Sequence, residues 1–187
     1  MATHKQSNTQ LSQPVTEHDH ALGPVNADAM LLEYGDFECP YSKEGTLIAR
    51  ALYEEFKGRL RFVFRHFPLT KHPHAKQAAE AAEAAAAQGK FWEMAELLFV
   101  NQDKLTQRDL VRYADRLGLD TAKFKKDLSE HIYAEDVQAN LLSGEQSGVT
   151  GTPTYFIGDQ RYDGADDIDS LKTILQRAMC KVEAWDP

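Results

Sequence analysis

The segment "EYGDFECPYSKEG", residues 33–45, joins the end of an apolar run to a helix start. The run begins earlier, as "MLLEYGDF" over residues 30–37, and its aromatic and aliphatic content predicts a short buried strand. Pro40 suits the first turn of a helix, where a backbone N–H would have no partner. The segment therefore predicts a strand, a turn and a helix, with Cys39 at the helix N-terminus.

A cysteine in this position is suited to nucleophilic chemistry. Its sulfur is expected to accept hydrogen bonds from the amides of Tyr41 and Ser42, and the positive end of the helix dipole favours thiolate over thiol. Three residues after Cys39, where a Cys-X-X-Cys site has its second sulfur, the chain has Ser42. A hydroxyl cannot close a disulfide, although it can donate a hydrogen bond to the thiolate. The turn therefore predicts one reactive sulfur.

The chain around this turn alternates between strand and helix patterns. The helix after Pro40 ends at Gly58, and residues 59–68 form a strand with two apolar faces. The apolar stripe expected on that helix comprises Leu47, Ile48, Ala51, Leu52 and Phe56. A hairpin around Gly158 and Asp159 precedes a last helix, "IDSLKTILQRAM". The pattern predicts an α/β fold.

Between these parts the sequence predicts four helices. Thr106 and Thr121 are the expected N-caps, and Gly118 and Gly144 the expected stops. The four segments are "HPHAKQAAEAAEAAAAQG" (72–89), "FWEMAELLF" (91–99), "TQRDLVRYADRLG" (106–118) and "TAKFKKDLSEHIYAEDVQANLLSG" (121–144). Residues 1–18 are polar and aperiodic, which predicts a disordered tail.

Three signals in this order resemble the DsbA-like family of the thioredoxin superfamily. They are "EYGDFECPYS" (33–42), "FRHFPL" (64–69) followed by the alanine-rich helical segment, and "GVTGTPTYFIG" (148–158). The resemblance implies an α/β, thioredoxin-like fold with an inserted helical subdomain. The implied division is a thioredoxin-like domain over 19–69 and 148–187 and a helical insertion over 70–147.

The resemblance also implies roles for individual residues. Cys39 matches the nucleophile, and Pro153 matches a cis-proline whose preceding residue, Thr152, presents backbone groups to a bound peptide or thiol. Glu33 matches a buried carboxylate under the active site. The candidate catalytic residues are thus Cys39, Ser42 and Glu33, and the candidate substrate-binding residues are Pro40, Tyr41, Thr152 and Pro153.

A single sulfur needs a second thiol to release a mixed disulfide. Cys180, the only other cysteine, is expected about 20 Å from the start of its helix and too distant to serve, because a disulfide needs Cα atoms within about 7 Å. The sequence therefore predicts a thiol-disulfide oxidoreductase with a monothiol mechanism, resolved by an external thiol such as glutathione acting as co-substrate. No bound cofactor is expected.

Three alternatives stay open on the sequence. Some DsbA-like relatives are glutathione-dependent isomerases and transferases that use a serine at the active-site turn, although this chain retains Cys39. A non-catalytic module that binds thiols or peptides is the second alternative. The third is that Ser42 is an engineered replacement of a second cysteine, which the native gene would reveal.

Composition excludes several other partners. The formal net charge of −8 disfavours nucleic acid, because such surfaces need clustered Lys and Arg. No membrane span and no secretory signal is evident, so a cytoplasmic location is expected. The His18–His20 and His72–His74 pairs lack further ligands in sequence, so no metal site is predicted. The expected partners are protein or small-molecule thiols and disulfides, and the sequence does not define an oligomeric state.

Overall fold

The computed structural model describes residues 10–183, which form one five-stranded sheet and seven helices. The strands are β1 (His20–Leu22), β2 (Ala29–Gly35), β3 (Leu60–His66), β4 (Thr154–Ile157) and β5 (Gln160–Tyr162). The helices are α1 (Pro40–Glu55), α2 (Ala75–Ala86), α3 (Phe91–Val100), α4 (Gln107–Arg116), α5 (Thr121–Ser129), α6 (Ala134–Gln146) and α7 (Ile168–Glu183). The α/β, thioredoxin-like fold expected from the sequence is thereby confirmed.

The sheet has the strand order β1-β3-β2-β4-β5. Strands β2 and β3 are parallel and joined through α1, whereas the other three pairings are antiparallel. Helices α2 to α6 lie in the chain between β3 and β4, so they interrupt the sheet as an insertion. Because β2 and β3 are parallel, the turn after β2 and the end of β3 lie at the same edge of the sheet.

The buried face of α1 overlaps the expected stripe only in part. From that stripe, Leu52 is buried and Ile48 and Phe56 pack against the core. The buried residues of α1 are Ser42, Gly45, Thr46, Ala49 and Leu52. Small side chains let the helix lie close to the sheet, and Leu47 from the predicted stripe is 61% exposed. Leu47 lines a groove between α1 and α3 that also contains Trp92 and Val100.

The insertion contains five helices rather than the four predicted. The last predicted segment is divided between α5 and α6, and His131 between them has a φ of 53°, in the left-handed region. That conformation cannot continue a right-handed helix. The N-cap of α5 is Asp120, one residue before the predicted Thr121, whereas Thr106 caps α4 as expected.

The predicted disordered tail is wrong for residues 10–18. Gln10 forms a β-bridge with Gln160 at the edge of the sheet, and the Ser12 amide donates to Ser147 Oγ at 2.9 Å. Arg65 donates to the Gln13 carbonyl, so polar chain segments supply partners for a buried guanidinium. Residues 1–9 of the predicted tail, and residues 184–187 of the predicted thioredoxin-like domain, lie outside the described residues.

Candidate active site

Cys39 lies at the N-terminus of α1, four residues after the end of β2. It is the N-cap residue, with extended backbone angles of φ −82° and ψ 121°, and Pro40 follows in the first helical turn. The predicted strand, turn and helix are therefore present at the predicted positions. Cys39 is only 2% exposed, so the residue is almost entirely covered by its surroundings.

The loop before β4 lies directly against this cysteine. The Thr152–Pro153 peptide bond is cis, and the Cys39 thiol donates to the Thr152 carbonyl oxygen at 3.4 Å. The sulfur makes no capping hydrogen bond to the helix amides, which corrects the expectation for Tyr41 and Ser42. The hydrogen bond that the sulfur does make is to the Thr152 carbonyl of the adjoining loop.

Ser42 has a different partner from the one expected. It is fully buried, and its Oγ accepts a hydrogen bond from the Asp36 amide at 3.1 Å. The hydroxyl oxygen therefore satisfies a backbone amide of the turn before Cys39. Its location in the first turn of α1 still places an oxygen where a dithiol site has its second sulfur.

Glu33 is fully buried on β2, as the resemblance implies. Thr46 Oγ1 donates to its Oε1 at 2.8 Å, and Oε2 has no hydrogen-bond partner. Burial raises the pKa of Glu33 to about 8, against the opposing effect of the Thr46 hydrogen bond and with a small contribution from the charge of Asp166. Below that pH the group is a neutral carboxylic acid.

Tyr155 is a site residue that the sequence reasoning missed. It lies opposite Glu33 in the β2–β4 pair, is buried, and has a hydroxyl without a hydrogen-bond partner. Burial, followed by the charges of Glu33 and Asp166, raises the pKa of Tyr155 far above its ordinary value. The sequence feature that could have pointed to Tyr155 is its position on a predicted strand, two residues after Pro153.

Two acid–histidine pairs hold the turn before Cys39. Asp36 Oδ2 accepts from His72 Nδ1 at 2.7 Å and from the Leu69 amide at 2.9 Å, and its carboxylate is completely buried. Glu38 accepts from the amide of His74 at 2.7 Å and hydrogen-bonds with its Nδ1 at 3.0 Å. The histidines considered as a metal pair in the sequence thus bind carboxylates of the active-site turn.

Gln102, from the helical insertion, also contacts the active-site turn. Its Nε2 donates to the carbonyls of Phe37 and Cys39, at 2.8 Å and 2.9 Å. One side chain therefore fixes the backbone on both sides of Glu38. Nothing in the local sequence around Gln102 predicts this contact.

The remaining candidates form the rim of the site. Pro40 and Tyr41 are exposed, and Tyr41 is 70% exposed, so both are available to a substrate. Thr152 and Pro153 are half-buried, and Thr152 Oγ1 has no hydrogen-bond partner. Together, Cys39 at the helix N-cap position and the adjoining cis-proline loop form the candidate site of a protein of the thioredoxin-like fold class.

Comparisons with known proteins agree with this class. Residues 15–177 match the family model described as Thioredoxin, and the chain therefore belongs to the thioredoxin family. Among solved structures, oxidised BdbD from Bacillus subtilis superposes with a TM-score of 0.80 at 22% identity, covering 92% of this chain and 99% of BdbD. The catalytic domain of Proteus mirabilis ScsC superposes with a TM-score of 0.74 at 21% identity, covering 87% and 89%.

Relatives found by sequence similarity are named as antiporters rather than as thioredoxins. Na(+)/H(+) antiporter NhaA 3 of Salinispora tropica is 42% identical over 163 residues, covering 87% of this chain and 25% of that protein. Na(+)/H(+) antiporter NhaA 1 of Mycobacterium sp. (strain KMS) is 39% identical over 170 residues, covering 89% and 28%. The chain thus spans about a quarter of the length of these relatives. Among residues 10–183, no helix has the length and apolar character needed to cross a bilayer.

Proposed function

We propose that the chain is a thiol-disulfide oxidoreductase that works through Cys39 alone, with an external thiol as its resolving partner. The main observation behind this proposal is the position of Ser42. This residue is fully buried in the first turn of α1, and its hydroxyl oxygen accepts a hydrogen bond from the Asp36 amide. An oxygen fixed in this way leaves Cys39 as the reactive sulfur of the site.

The reaction follows from the properties of one sulfur. The Cys39 thiolate attacks one sulfur of a substrate disulfide, so that a Cys39–substrate disulfide forms and the other substrate sulfur leaves as a thiol. An external thiol then attacks the mixed disulfide and releases the Cys39 thiolate. That attack leaves the external thiol bonded to the substrate sulfur. A second external thiol breaks this bond, so the substrate leaves as a thiol and the two external thiols end as a disulfide. Glutathione is the external thiol that we propose, with protein or small-molecule disulfides as substrates.

Cys180 does not supply the second thiol in this proposal. It is exposed and lies twelve residues after the start of α7, which corresponds to about 18 Å along a helix. Asp166, just before α7, lines a cavity together with Pro153, so the start of this helix is its end near the active site. Cys180 is therefore at the distant end.

Substrate contacts are proposed for four residues. Pro40 and Tyr41 follow Cys39 in the chain and are exposed, and the Thr152 carbonyl, next to Pro153, accepts a hydrogen bond from the Cys39 thiol. Because the Thr152 carbonyl already accepts from the Cys39 thiol, a substrate that ionises or covalently modifies the sulfur frees this acceptor. We propose that an incoming substrate N–H then takes its place.

Intact-mass spectrometry with oxidised glutathione tests the proposal. The protein is used with Cys180→Ser, because an exposed thiol would react independently of the site. One glutathione adduct is expected, absent in the Cys39→Ala, Cys180→Ser variant and removed by reduced glutathione. An adduct that reduced glutathione does not remove would contradict turnover. Failure of Cys39 to react, combined with non-covalent binding of glutathione, would favour the transferase or binding alternatives.

A further inference from the structure

His20, His66 and Glu83 converge at one point beside the end of β3. The Nε2 atoms of His20 and His66 lie 2.8 Å and 2.7 Å from the same oxygen, Glu83 Oε1. One ligand atom from each of the three residues lies within 4.8 Å of the others. Two imidazoles and a carboxylate are a ligand set typical of divalent transition metals.

The fold brings these residues together from three separate elements. His20 on β1 pairs with Phe64 on β3, and His66 is two residues further along the same strand. Side chains two residues apart on a strand lie on the same face, so the two imidazoles are diagonal neighbours. Glu83 approaches this face from α2. The cluster therefore connects the edge strand, the sheet and the insertion.

Aromatic packing fixes the two imidazoles before any ligand binds. His20 is stacked on Phe91, with ring centroids 3.5 Å apart and planes 9° from parallel. His66 is 1% exposed and lies among the rings of Phe37, Phe64 and Phe91. Its Nδ1 is buried without a hydrogen-bond partner, so Glu83 is the polar contact of its ring. Such packing is the support that a preorganised metal site needs.

The electrostatics favour a cation at this point. The Glu83 side chain is only 14% exposed, and its Oε1 is the shared polar partner of both imidazoles. A cavity of about 300 Å³ reaches His20 and Glu83, and Asp19 and Asp136 also line it. Asp19 forms an ion pair with Arg65, so the negative charge at this cavity comes mainly from Glu83 and Asp136.

We propose that His20, His66 and Glu83 bind a divalent transition-metal cation of the zinc class, with a fourth position open to the cavity. Ligand atoms of a tetrahedral zinc are about 3.3 Å apart, given metal–ligand distances of about 2.0–2.2 Å. The observed N···O distances are somewhat shorter, so Glu83 must withdraw by about half an ångström. The cavity beside it provides the space.

Titration with Co²⁺ and Zn²⁺ tests this site directly. The protein is first alkylated at Cys39 and Cys180, because thiolates bind the same metals. We expect one Co²⁺ per chain, with visible d–d absorption, no thiolate-to-metal charge-transfer band, and displacement by Zn²⁺. Glu83→Gln and His20→Asn should each lower the affinity at least tenfold, since even outer partners of metal ligands contribute about 10- to 100-fold.

A matched control separates the site from adventitious histidine binding. His131→Asn removes an exposed imidazole that also contacts a carboxylate, that of Glu80, and asparagine tolerates the positive φ at this position. It should leave Co²⁺ affinity unchanged. Equal affinity in wild type and Glu83→Gln, with both folded by circular dichroism, would overturn the proposal, as would the absence of any stoichiometric binding. Neither result bears on glutathione exchange at Cys39.

Discussion

Glu33 and Tyr155 lie opposite each other on β2 and β4, and each has a buried oxygen without a hydrogen-bond partner. Ionising either group would put a negative charge into the same apolar layer. Burial accordingly raises the pKa of both groups, that of Glu33 to about 8. The acid beneath the active site is therefore neutral below about pH 8.

The pKa of Glu33 predicts how stability changes with pH. The pKa of Glu33 is about 8 in the folded state against an ordinary value of 4.5, so the folded state binds more protons between these two pH values. The unfolding free energy should therefore fall as pH rises through this window. Glu33→Gln should flatten the profile and be the more stable protein above about pH 8, by on the order of a few kcal/mol. Urea unfolding across this pH range measures both effects, and Tyr155→Phe should leave the slope unchanged.

Replacing Ser42 by cysteine should change the chemistry at Cys39. The N-cap and the third helical residue are close enough for a disulfide, so Ser42→Cys should form an internal bond and release mixed disulfides without an external thiol. The readout is the lifetime of the Cys39–glutathione adduct after excess glutathione is removed. Adducts that persist equally in both proteins would contradict the prediction. Ser42→Ala is the control, because it removes the hydroxyl without adding a sulfur.

The hydrogen bonds of Gln102 connect the helical insertion to the turn that contains Cys39. Gln102→Ala removes two hydrogen bonds from the turn, including the one to the Cys39 carbonyl, and should cost about 1–3 kcal/mol of stability. The rate of Cys39 alkylation should change as well. Gln88→Ala is the matched control, since Gln88 makes two hydrogen bonds to Asp120 on the insertion. It should lower stability and leave the alkylation rate unchanged.

The two acid–histidine pairs should differ in energy. Asp36→Asn weakens a fully buried carboxylate that accepts three hydrogen bonds, and a loss of about 2–4 kcal/mol is expected. Glu38→Gln alters a pair whose His74 is substantially exposed, so about 0–1 kcal/mol is expected. Urea midpoints of the two variants compare them. Equal losses of stability in the two variants would contradict the prediction that burial of the carboxylate determines the cost.

The active-site turn was predictable because its signals are local. Pro40 at a helix start, an apolar run before it and Cys39 between them specify one geometry, and the structure has it. The resemblance added the cis-proline loop. The direction of the Cys39 sulfur was not predictable, because a capping position permits several side-chain rotamers and the choice depends on a carbonyl 113 residues away.

Other features were missed because they depend on distant partners. β1 has three residues and no repeating pattern, and it exists through pairing with β3. Residues 10–18 lack apolar periodicity, yet they are ordered by a bridge to Gln160 and by Arg65. His20, His66 and Glu83 lie on three elements, so sequence spacing cannot reveal them.

The strand order has a consequence for synthesis on the ribosome. β2 pairs with β3 early, but its other edge pairs with β4, which follows five intervening helices. Local helical contacts form quickly, whereas this pairing must wait for the chain to emerge. Until then the growing chain presents an open strand edge, and Cys39 lacks the loop that covers it. A nascent chain of this topology therefore depends on its surroundings to keep that thiol unreacted.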